Sequence, residues 1–347
     1  MTASRHIAIV GAGMAAVTCA RTLVQAGHRV TVFEKSHTVG GRMATRNSAF
    51  GTFDHGAQYF TVRDPRFVQA LQTTRSVCKP WSANTVQVLD EHGRVAAVGL
   101  PPREPHWVAS PGMSTLVRRW AQPLVDAKSL ELNARVTHIE RDALDKNHWQ
   151  LRTAGDGDSS HVYGGFDAVV LAVPSPQAQE LLKDTPKAGA LLKKTQKVTV
   201  HPCWTLMLAF PQAMQPGMSA LGPQWNAARS THHRIAWLTR ESSKPGRGAV
   251  ERWTVQASAA WSHEHLNDDP KRVQAKLTKA FSEVTGIRAQ AAHADTKRWL
   301  YAKTDKPLGQ SHLWDAKLGL GLCGDWCLGH RVEDAFISGL ELALAIV

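Results

Sequence analysis

The first forty residues alternate between apolar runs of strand length and one segment with helical spacing. His6–Val10 is the first run, Met14–Ala26 has helical spacing and stops at Gly27, and Arg29–Glu34 is the second run. Two such runs around a helical segment are typical of a βαβ unit, whose strands are parallel. The chain is therefore predicted to open with a Rossmann-like unit.

Two later segments have the same character as the first run. After Asp167 the chain is apolar up to Pro174, which is typical of a strand buried on both faces of a parallel sheet. Residues 318–323 form another apolar strand pattern, and a helix is predicted from about Val332. The start, the middle and the end of the chain are thus predicted to share one parallel sheet.

The remaining segments predict a separate domain. Strand patterns over 198–210, 235–239 and 252–258 favour an antiparallel sheet, residues 84–100 a hairpin, and residues 66–76, 176–195 and 271–285 helices. A helix that follows Ser114 should end near Pro123, because proline interrupts helices. The predicted fold class is α/β: a Rossmann-like domain with an inserted α+β domain that contains an antiparallel sheet.

Composition narrows the class of protein. The chain has 347 residues, of which 43% are hydrophobic and 20% charged, so it can bury a core and is not of the disordered type. No stretch approaches the roughly 18 to 20 apolar residues of a membrane helix. The first residues run directly into a strand, without the apolar segment of an export signal. We expect a cytoplasmic protein that does not contact membranes.

Charge and cysteine content exclude further classes. The formal net charge is +12, but the basic residues are dispersed, which argues against nucleic acid as a partner. The same positive field would attract a small molecule that carries a pyrophosphate. Five scattered cysteines predict free thiols, and their spacing fits no metal site.

The first glycine motif predicts a dinucleotide site. Gly11 and Gly13 follow the first strand and precede the first helix, and Ala16 takes the third small position of the motif. In this context the backbone can approach a pyrophosphate at the helix N-terminus. Glu34 ends the second strand, where a carboxylate accepts hydrogen bonds from ribose hydroxyls.

A second set of motifs favours a flavin over nicotinamide as the bound cofactor. Gly40 and Gly41 follow soon after the acid, with Arg42 beside them to neutralise phosphate charge. The small residues of the segment 54–60 would let the chain pass a flat ring. Asp325 follows the last strand and suits a ribityl hydroxyl, and the helix from Val332 could stabilise negative charge on a reduced flavin.

These blocks together resemble a known family. The order GAGMAA, GGRM, GAQYF, RWLY, CGDW and VEDAFISG is similar to the flavin-containing amine oxidase superfamily and, within it, to the renalase branch, above all the bacterial renalases. The resemblance spans nearly the whole chain. It implies non-covalent FAD, because no cysteine follows Cys327 where some members attach the flavin. It implies a discontinuous FAD-binding domain of the GR2 type over 1–62, 107–175 and 298–347, and a substrate-binding domain over 63–106 and 176–297. The implied cofactor-binding residues are Gly11, Gly13, Met14, Ala15, Glu34, Lys35, Gly41, Arg42, Met43, Gly56, Ala57, Gln58, Tyr59, Val136, Trp299, Gly324, Asp325, Val332, Glu333 and Ala335.

The resemblance also implies an activity. The renalase branch oxidises 2- or 6-dihydro isomers of β-NAD(P)H, transfers the hydride to flavin N5, and reduces O2 to H2O2. The first alternative is an amine oxidase or related small-molecule oxidase or desaturase. The second is a non-catalytic flavin-binding or nucleotide-binding regulator. A dihydropyridine yields hydride with the help of its ring nitrogen, so no acid or base residue is required.

The candidate pocket residues are few. Tyr59, Trp299, Tyr301 and His233 could line the substrate pocket, with core packing as the alternative use of the aromatic rings. Lys244 and Arg247 could bind a substrate phosphate or stand on a solvated loop. Asp54-His55 departs from the apolar residue more usual before GAQYF and could alter the pocket.

Overall fold

The computed structural model describes residues 4–81, 86–97, 104–154, 160–214, 223 and 225–347. The strands are β1 (His6–Val10), β2 (Arg29–Phe33), β3 (Thr45–Ser48), β4 (Gly51–Asp54), β5 (Cys78–Trp81), β6 (Val86–Leu89), β7 (Val95–Ala97), β8 (His106–Ala109), β9 (Leu130–Glu131), β10 (Arg135–Arg141), β11 (Trp149–Ala154), β12 (Ser160–Phe166), β13 (Ala168–Leu171), β14 (Thr199–Phe210), β15 (Ala227–Ser230), β16 (Ile235–Arg240), β17 (Glu251–Ala257), β18 (His293–Lys306), β19 (Leu313–Asp315) and β20 (Leu320–Leu322). The α-helices are α1 (Met14–Gln25), α2 (Pro65–Gln72), α3 (Ser114–Asp126), α4 (Ser175–Lys183), α5 (Gly189–Thr195), α6 (Ala259–Glu264), α7 (Pro270–Thr285) and α8 (Val332–Ile346).

The chain divides into two compact units. Unit 1 comprises Met1–Gly41, Leu116–Val200 and Thr304–Val347, and unit 2 comprises Arg42–Thr115 and His201–Lys303. The boundaries of these units differ from those of the predicted domains. Residues 42–62 and 107–115, predicted as part of the FAD-binding domain, belong to unit 2. The functional division into FAD-binding and substrate-binding domains stays a prediction.

Unit 1 is built on a six-stranded sheet with the order β19-β20-β13-β1-β2-β9. β20, β13, β1, β2 and β9 are parallel, while β19 is antiparallel to β20. This confirms that the start, middle and end of the chain share one parallel sheet. The interior strand β13 is buried along its whole length, as the apolar run after Asp167 predicted. A second sheet in this unit has the order β10-β11-β12.

Unit 2 is built on a seven-stranded sheet with the order β18-β14-β17-β16-β15-β6-β7. The antiparallel pairings β14–β17 and β16–β17 confirm the predicted sheet. One face carries Leu206, Val255 and Leu238, which pack with the buried side of α7 in a single apolar cluster. Side chains alternate between the faces of a strand, so Arg229, Trp237 and Gln256 point to the other face, which we call the site face.

Some local predictions need correction or completion. α3 extends to Asp126 with Pro123 inside it, because the Ala127 N–H still donates to the Pro123 carbonyl and the last turn is kept. The hairpin predicted over 84–100 is present as β6 and β7, and its residues 84, 85 and 98–100 lie outside the described residues. The pairings β3–β4 and β5–β8 were missed. All five cysteines are free thiols, as expected.

No helix among the described residues is long and apolar enough to cross a bilayer.

Candidate active site

The predicted dinucleotide residues of unit 1 lie along one edge of its sheet. Parallel strands end at the same edge, and β20, β13, β1 and β2 are neighbours in this order. Gly324 and Asp325 follow β20, the motif Gly11–Ala15 follows β1, and Glu34 follows β2. Ligands of open α/β sheets bind at such an edge, at the point where the strand order reverses. Here that point lies between β1 and β13.

The glycine motif fits a pyrophosphate. Gly11 has a φ of 103°, and a Cβ there would lie 2.7 Å from the Ala172 carbonyl oxygen, so only glycine is accommodated. α1 begins at Met14 with Gly13 as its N-cap, has no side-chain cap, and carries no acidic residue in its first turn. Its first N–H groups are therefore left for an external anion. A Cβ on Gly13 would meet only Gly41 Cα, at 3.8 Å, so the space above this turn is open.

Glu34 is held in position by the backbone. Its side chain is buried, and its two carboxylate oxygens accept hydrogen bonds from the N–H groups of Ala12 and Ser36, each at 2.9 Å. A carboxylate has about four acceptor positions, so about two are left for the hydroxyls of a ribose. The residue fits the predicted role and also fixes the glycine turn.

We expect Glu34→Ala to weaken FAD retention by about 10- to 100-fold, the worth of hydrogen bonds to a charged group. The apo-protein should lose about 1–3 kcal/mol of stability as well, because two N–H groups lose their acceptor. Equilibrium FAD binding and urea unfolding of the apo-protein measure the two effects separately. Glu180→Ala, at a surface position on α4, is the control. FAD retention equal to the parent's would show that the ribose role is wrong.

The last predicted element of this edge is α8. Its first turn carries Glu333 and Asp334, and the Asp334 carboxylate accepts the Arg331 N–H at 2.8 Å. Burial raises the pKa of Asp334 above its usual value. The positive end of the helix dipole therefore already interacts with carboxylates of the helix itself. The prediction that this helix end stabilises a reduced flavin did not take these carboxylates into account.

In unit 2, the segment after Gly41 folds tightly on itself. The Ala57 N–H donates to the Arg42 carbonyl at 2.8 Å, and a Cβ on Gly56 would lie 2.0 Å from that same oxygen. Gly56 is therefore required for close backbone approach. Met43, the residue after Arg42, is buried.

Four charged side chains of unit 2, which we call the ion quartet, are buried together: Asp54, Glu241, Lys244 and Arg247. Lys244 Nζ lies 3.0 Å from the carboxylates of both Asp54 and Glu241, and Arg247 donates to Asp54 at 2.5 Å. All four side chains have no exposed surface. Both interpretations of Lys244 and Arg247, a phosphate site and a solvated loop, are therefore wrong. Their charges are already neutralised inside the protein.

The ion quartet explains why Asp54 departs from the usual apolar residue. Burial alone would raise its pKa, but Lys244 and Arg247 hold the pKa of Asp54 below its usual value. Burial, with Asp54 nearby, raises the pKa of Glu241. The Gln58 amide donates to the Asp54 carbonyl, and its oxygen lies 3.5 Å from Lys244 Nζ. The quartet thus organises the segment that contains the predicted residues Gly56–Tyr59.

His55 and Trp299 form a stacked pair. Their rings lie 5.2 Å apart at 19°, and Trp299 Nε1 donates to the His55 carbonyl at 2.8 Å. Burial, followed by the charges of Arg46 and Lys297, lowers the pKa of His55 to about 4, so the imidazole is neutral at pH 7. Tyr301 is two residues after Trp299 on β18 and points to the same face of the strand.

Tyr59 belongs to a cluster that we call the aromatic box, formed with Trp81, His106 and Trp237. The Tyr59 ring centroid lies 4.1 Å from that of His106, 5.7 Å from Trp237 and 6.3 Å from Trp81. Trp81 and His106 are buried, whereas Tyr59 and Trp237 are half-buried. Burial lowers the pKa of His106, so this ring is also neutral at pH 7. The half-buried rings of Tyr59 and Trp237 offer an aromatic surface on which a planar ring can stack.

The other predicted residues have more varied surroundings. His233 is exposed in the turn between β15 and β16 and stacks on His232 at 4.5 Å. Val136 is buried on β10 within the apolar core of unit 1. Lys35 is exposed after β2. Sequence reasoning missed Trp81, His106 and Trp237, and their only signal was the unusual tryptophan content of 12 residues.

Comparison with known families assigns the class of protein. Residues 98–347 match the family described as flavin containing amine oxidoreductase, and residues 9–73 match the NAD(P)-binding Rossmann-like domain. The first match covers well over half of the chain, so the protein belongs to the flavin-containing amine oxidoreductase family. This confirms the predicted cofactor, FAD, and the predicted enzyme class, a flavin-dependent oxidoreductase.

Individual relatives match either over a short segment or over the whole chain at low sequence identity. The chain is 50% identical to an L-amino-acid oxidase of Siganus canaliculatus over 56 residues, which are 16% of this chain and 11% of that protein. Among solved structures, a protein of Exiguobacterium sp. provisionally assigned as a protoporphyrinogen oxidase has a TM-score of 0.77 and 13% identity, covering 100% of this chain and 99% of the other. Cyclohexylamine oxidase of Brevibacterium oxydans has a TM-score of 0.71 and 13% identity, with 99% of each chain covered. At these identities the structures show the shared fold alone.

Proposed function

We propose that this protein is an FAD-dependent oxidase of the renalase type, which oxidises the 2- or 6-dihydro isomers of β-NAD(P)H to β-NAD(P)+. Its FAD is bound non-covalently by the glycine motif, Glu34 and the residues that follow β20. When bound, FAD supplies the hydride acceptor, which O2 reoxidises with release of H2O2.

The observation that carries the substrate class is the aromatic box in a strongly basic unit. Unit 2 has 22 Lys and Arg against 12 Asp and Glu, whereas unit 1 has 19 against 17. Nearly all of the net charge of +12 thus belongs to unit 2. A positive field attracts an anionic dinucleotide and repels a cationic amine. The box in the same unit offers aromatic surfaces on which a nicotinamide ring can stack.

The acid and base groups of unit 2 are consistent with hydride loss without proton removal. Asp54 and Glu241 are engaged with Lys244 and Arg247, so neither is available as a base. A dihydropyridine needs none, because its ring nitrogen stabilises the positive charge left when hydride departs. His55, neutral and stacked on Trp299, can help to exclude water.

Amine oxidation is the second candidate. It is favoured by the family match and by the likeness to structures of cyclohexylamine oxidase and of a putrescine oxidase bound to putrescine. An amine reacts in its unprotonated form, so its oxidation would depend strongly on pH near the amine pKa.

Anaerobic mixing of the holoenzyme with each compound separates the two candidates. We expect the flavin absorbance to bleach rapidly with a dihydronicotinamide isomer, and H2O2 to appear when O2 is admitted. Bleaching by amines alone would make the protein an amine oxidase. Bound flavin that neither compound reduces would overturn both candidates and favour a non-catalytic role.

A further inference from the structure

Arg229 lies on the site face of unit 2, next to a residue of the aromatic box. It lies on β15 directly opposite Trp237 of β16. Side chains of directly opposed residues in antiparallel strands project to the same face, with Cβ atoms about 4.5–5.5 Å apart. Arg229 therefore stands beside the wall of the aromatic box that Trp237 forms.

The same row of the sheet reaches the tight turn at Gly56. Trp237 is opposite Gln256 of β17, whose amide donates to the Gly56 carbonyl at 2.9 Å. One row across the sheet thus leads from the Gly56 turn, through the Trp237 ring, to a guanidinium. A flat ring held against Trp237 would have its substituents within reach of Arg229.

The side chain of Arg229 is exposed, and its charge acts on the pKa of His106 in the aromatic box. No hydrogen bond or ion pair to this side chain is found among the residues that the structure describes. After burial, the charges that act on the His106 pKa are those of Glu104, which raises it, and Arg229, which lowers it. Glu104 itself pairs with Arg63 at 2.5 Å, so its charge is compensated.

We propose that Arg229 binds a phosphate group of the substrate while the attached planar heterocycle stacks on the half-buried surface of the aromatic box. This rests on the proposed function for the identity of the heterocycle, and it adds the residue that selects nicotinamides with a phosphate over those without one. Arginine suits this role because its planar fork donates two parallel hydrogen bonds to a phosphate.

The direct test is equilibrium binding by the FAD holoenzyme, measured by calorimetry at low salt. The probes are nicotinamide mononucleotide and nicotinamide riboside, which differ only in the phosphate. We expect the parent to bind the mononucleotide at least 10-fold more tightly, and Arg229→Gln to remove that preference while riboside affinity stays within twofold. Arg229→Lys should keep part of the preference, since it retains the charge without the fork.

Arg288→Gln is the matched control. Arg288 is also an exposed arginine of unit 2, and it follows Ile287, which packs in the cluster on the α7 side of the sheet. Its loss changes the net charge equally and should leave the preference intact. An equal loss in both variants would indicate a diffuse field, and the proposal would fail. It would also fail if the parent had no phosphate preference or if Arg229→Gln retained it.

Turnover separates this proposal from the proposed function. If the parent oxidises dihydronicotinamide dinucleotides, Arg229→Gln should raise KM about 10-fold or more and leave kcat within twofold. If the parent oxidises none of them, the proposed function fails, and the binding comparison still decides the role of Arg229. Turnover with a KM that Arg229→Gln does not change would leave the function standing and refute the phosphate contact.

Discussion

Lys244→Met should lower the free energy of unfolding by about 3–5 kcal/mol, the usual cost of removing one partner from a buried ion pair. Lys244 neutralises both carboxylates of the ion quartet and has no exposed surface. Without it, Arg247 is the only cation that forms an ion pair with the two buried carboxylates among the described residues, and Arg252 acts on them only from a greater distance. The turn at Gly56–Gln58 should loosen as well, because Lys244 also contacts the Gln58 amide. Urea unfolding of the apo-protein measures the loss.

A double variant shows whether charge or packing is responsible. The pKa of Glu241 is already raised by burial, so Glu241→Gln should be tolerated better than Lys244→Met. Adding it to Lys244→Met should recover part of the lost stability, because one unpaired negative charge is removed. Lys271→Met, at an exposed site on α7, should change stability by no more than about 0.5 kcal/mol. A loss below about 1 kcal/mol for Lys244→Met would contradict an energetic role of the quartet.

The parts of the fold that depend on local pattern could be predicted. The βαβ start follows from apolar spacing and the glycines, since strand, helix and turn each leave a signal within a few residues. β13 and β20 could be assigned to the same sheet as β1, because uninterrupted apolar runs are typical of strands buried on both faces of a parallel sheet. β5 could not be predicted, because its four residues include Pro80 and carry no alternating pattern. Its partner β8 is also only four residues long and carries no alternating pattern.

The candidate site was harder to predict from the sequence than the fold, for a physical reason. The members of the ion quartet are separated by up to 193 positions, and each by itself looks like a surface residue of a turn. Only the packing of β4 against the segment that follows β16 removes their charges from water. Trp81 and His106 meet through the pairing of β5 with β8, whereas Trp237 comes from β16 of another sheet. A single sequence gives no measure of such distant contacts. The prediction of a dinucleotide site at Gly11, Gly13 and Glu34 needed no distant contact, because their spacing is itself the signal.

Gly13→Ala should reduce FAD affinity by about 100-fold, or about 3 kcal/mol, and leave the apo-protein nearly as stable as the parent. The φ of Gly13 is −83°, which alanine adopts without strain, and its Cβ would meet only Gly41 Cα at 3.8 Å. The fold therefore tolerates the methyl group. It would, however, occupy the open space in which a pyrophosphate must approach the first N–H groups of α1. FAD titration of the apo-protein measures the first effect and urea unfolding the second.

Lost FAD affinity together with retained stability distinguishes a turn that binds the cofactor from one that serves only the fold. Gly11→Ala would damage both properties, since its Cβ would clash with the Ala172 carbonyl at a positive φ. Gly189→Ala is the control for the methyl group itself, because Gly189 opens α5 of the same unit and a Cβ there meets nothing within 4 Å. If Gly13→Ala bound FAD as tightly as Gly189→Ala does, the pyrophosphate would not lie over this turn. Equal losses of stability and of FAD affinity would instead mean that the turn serves the fold alone.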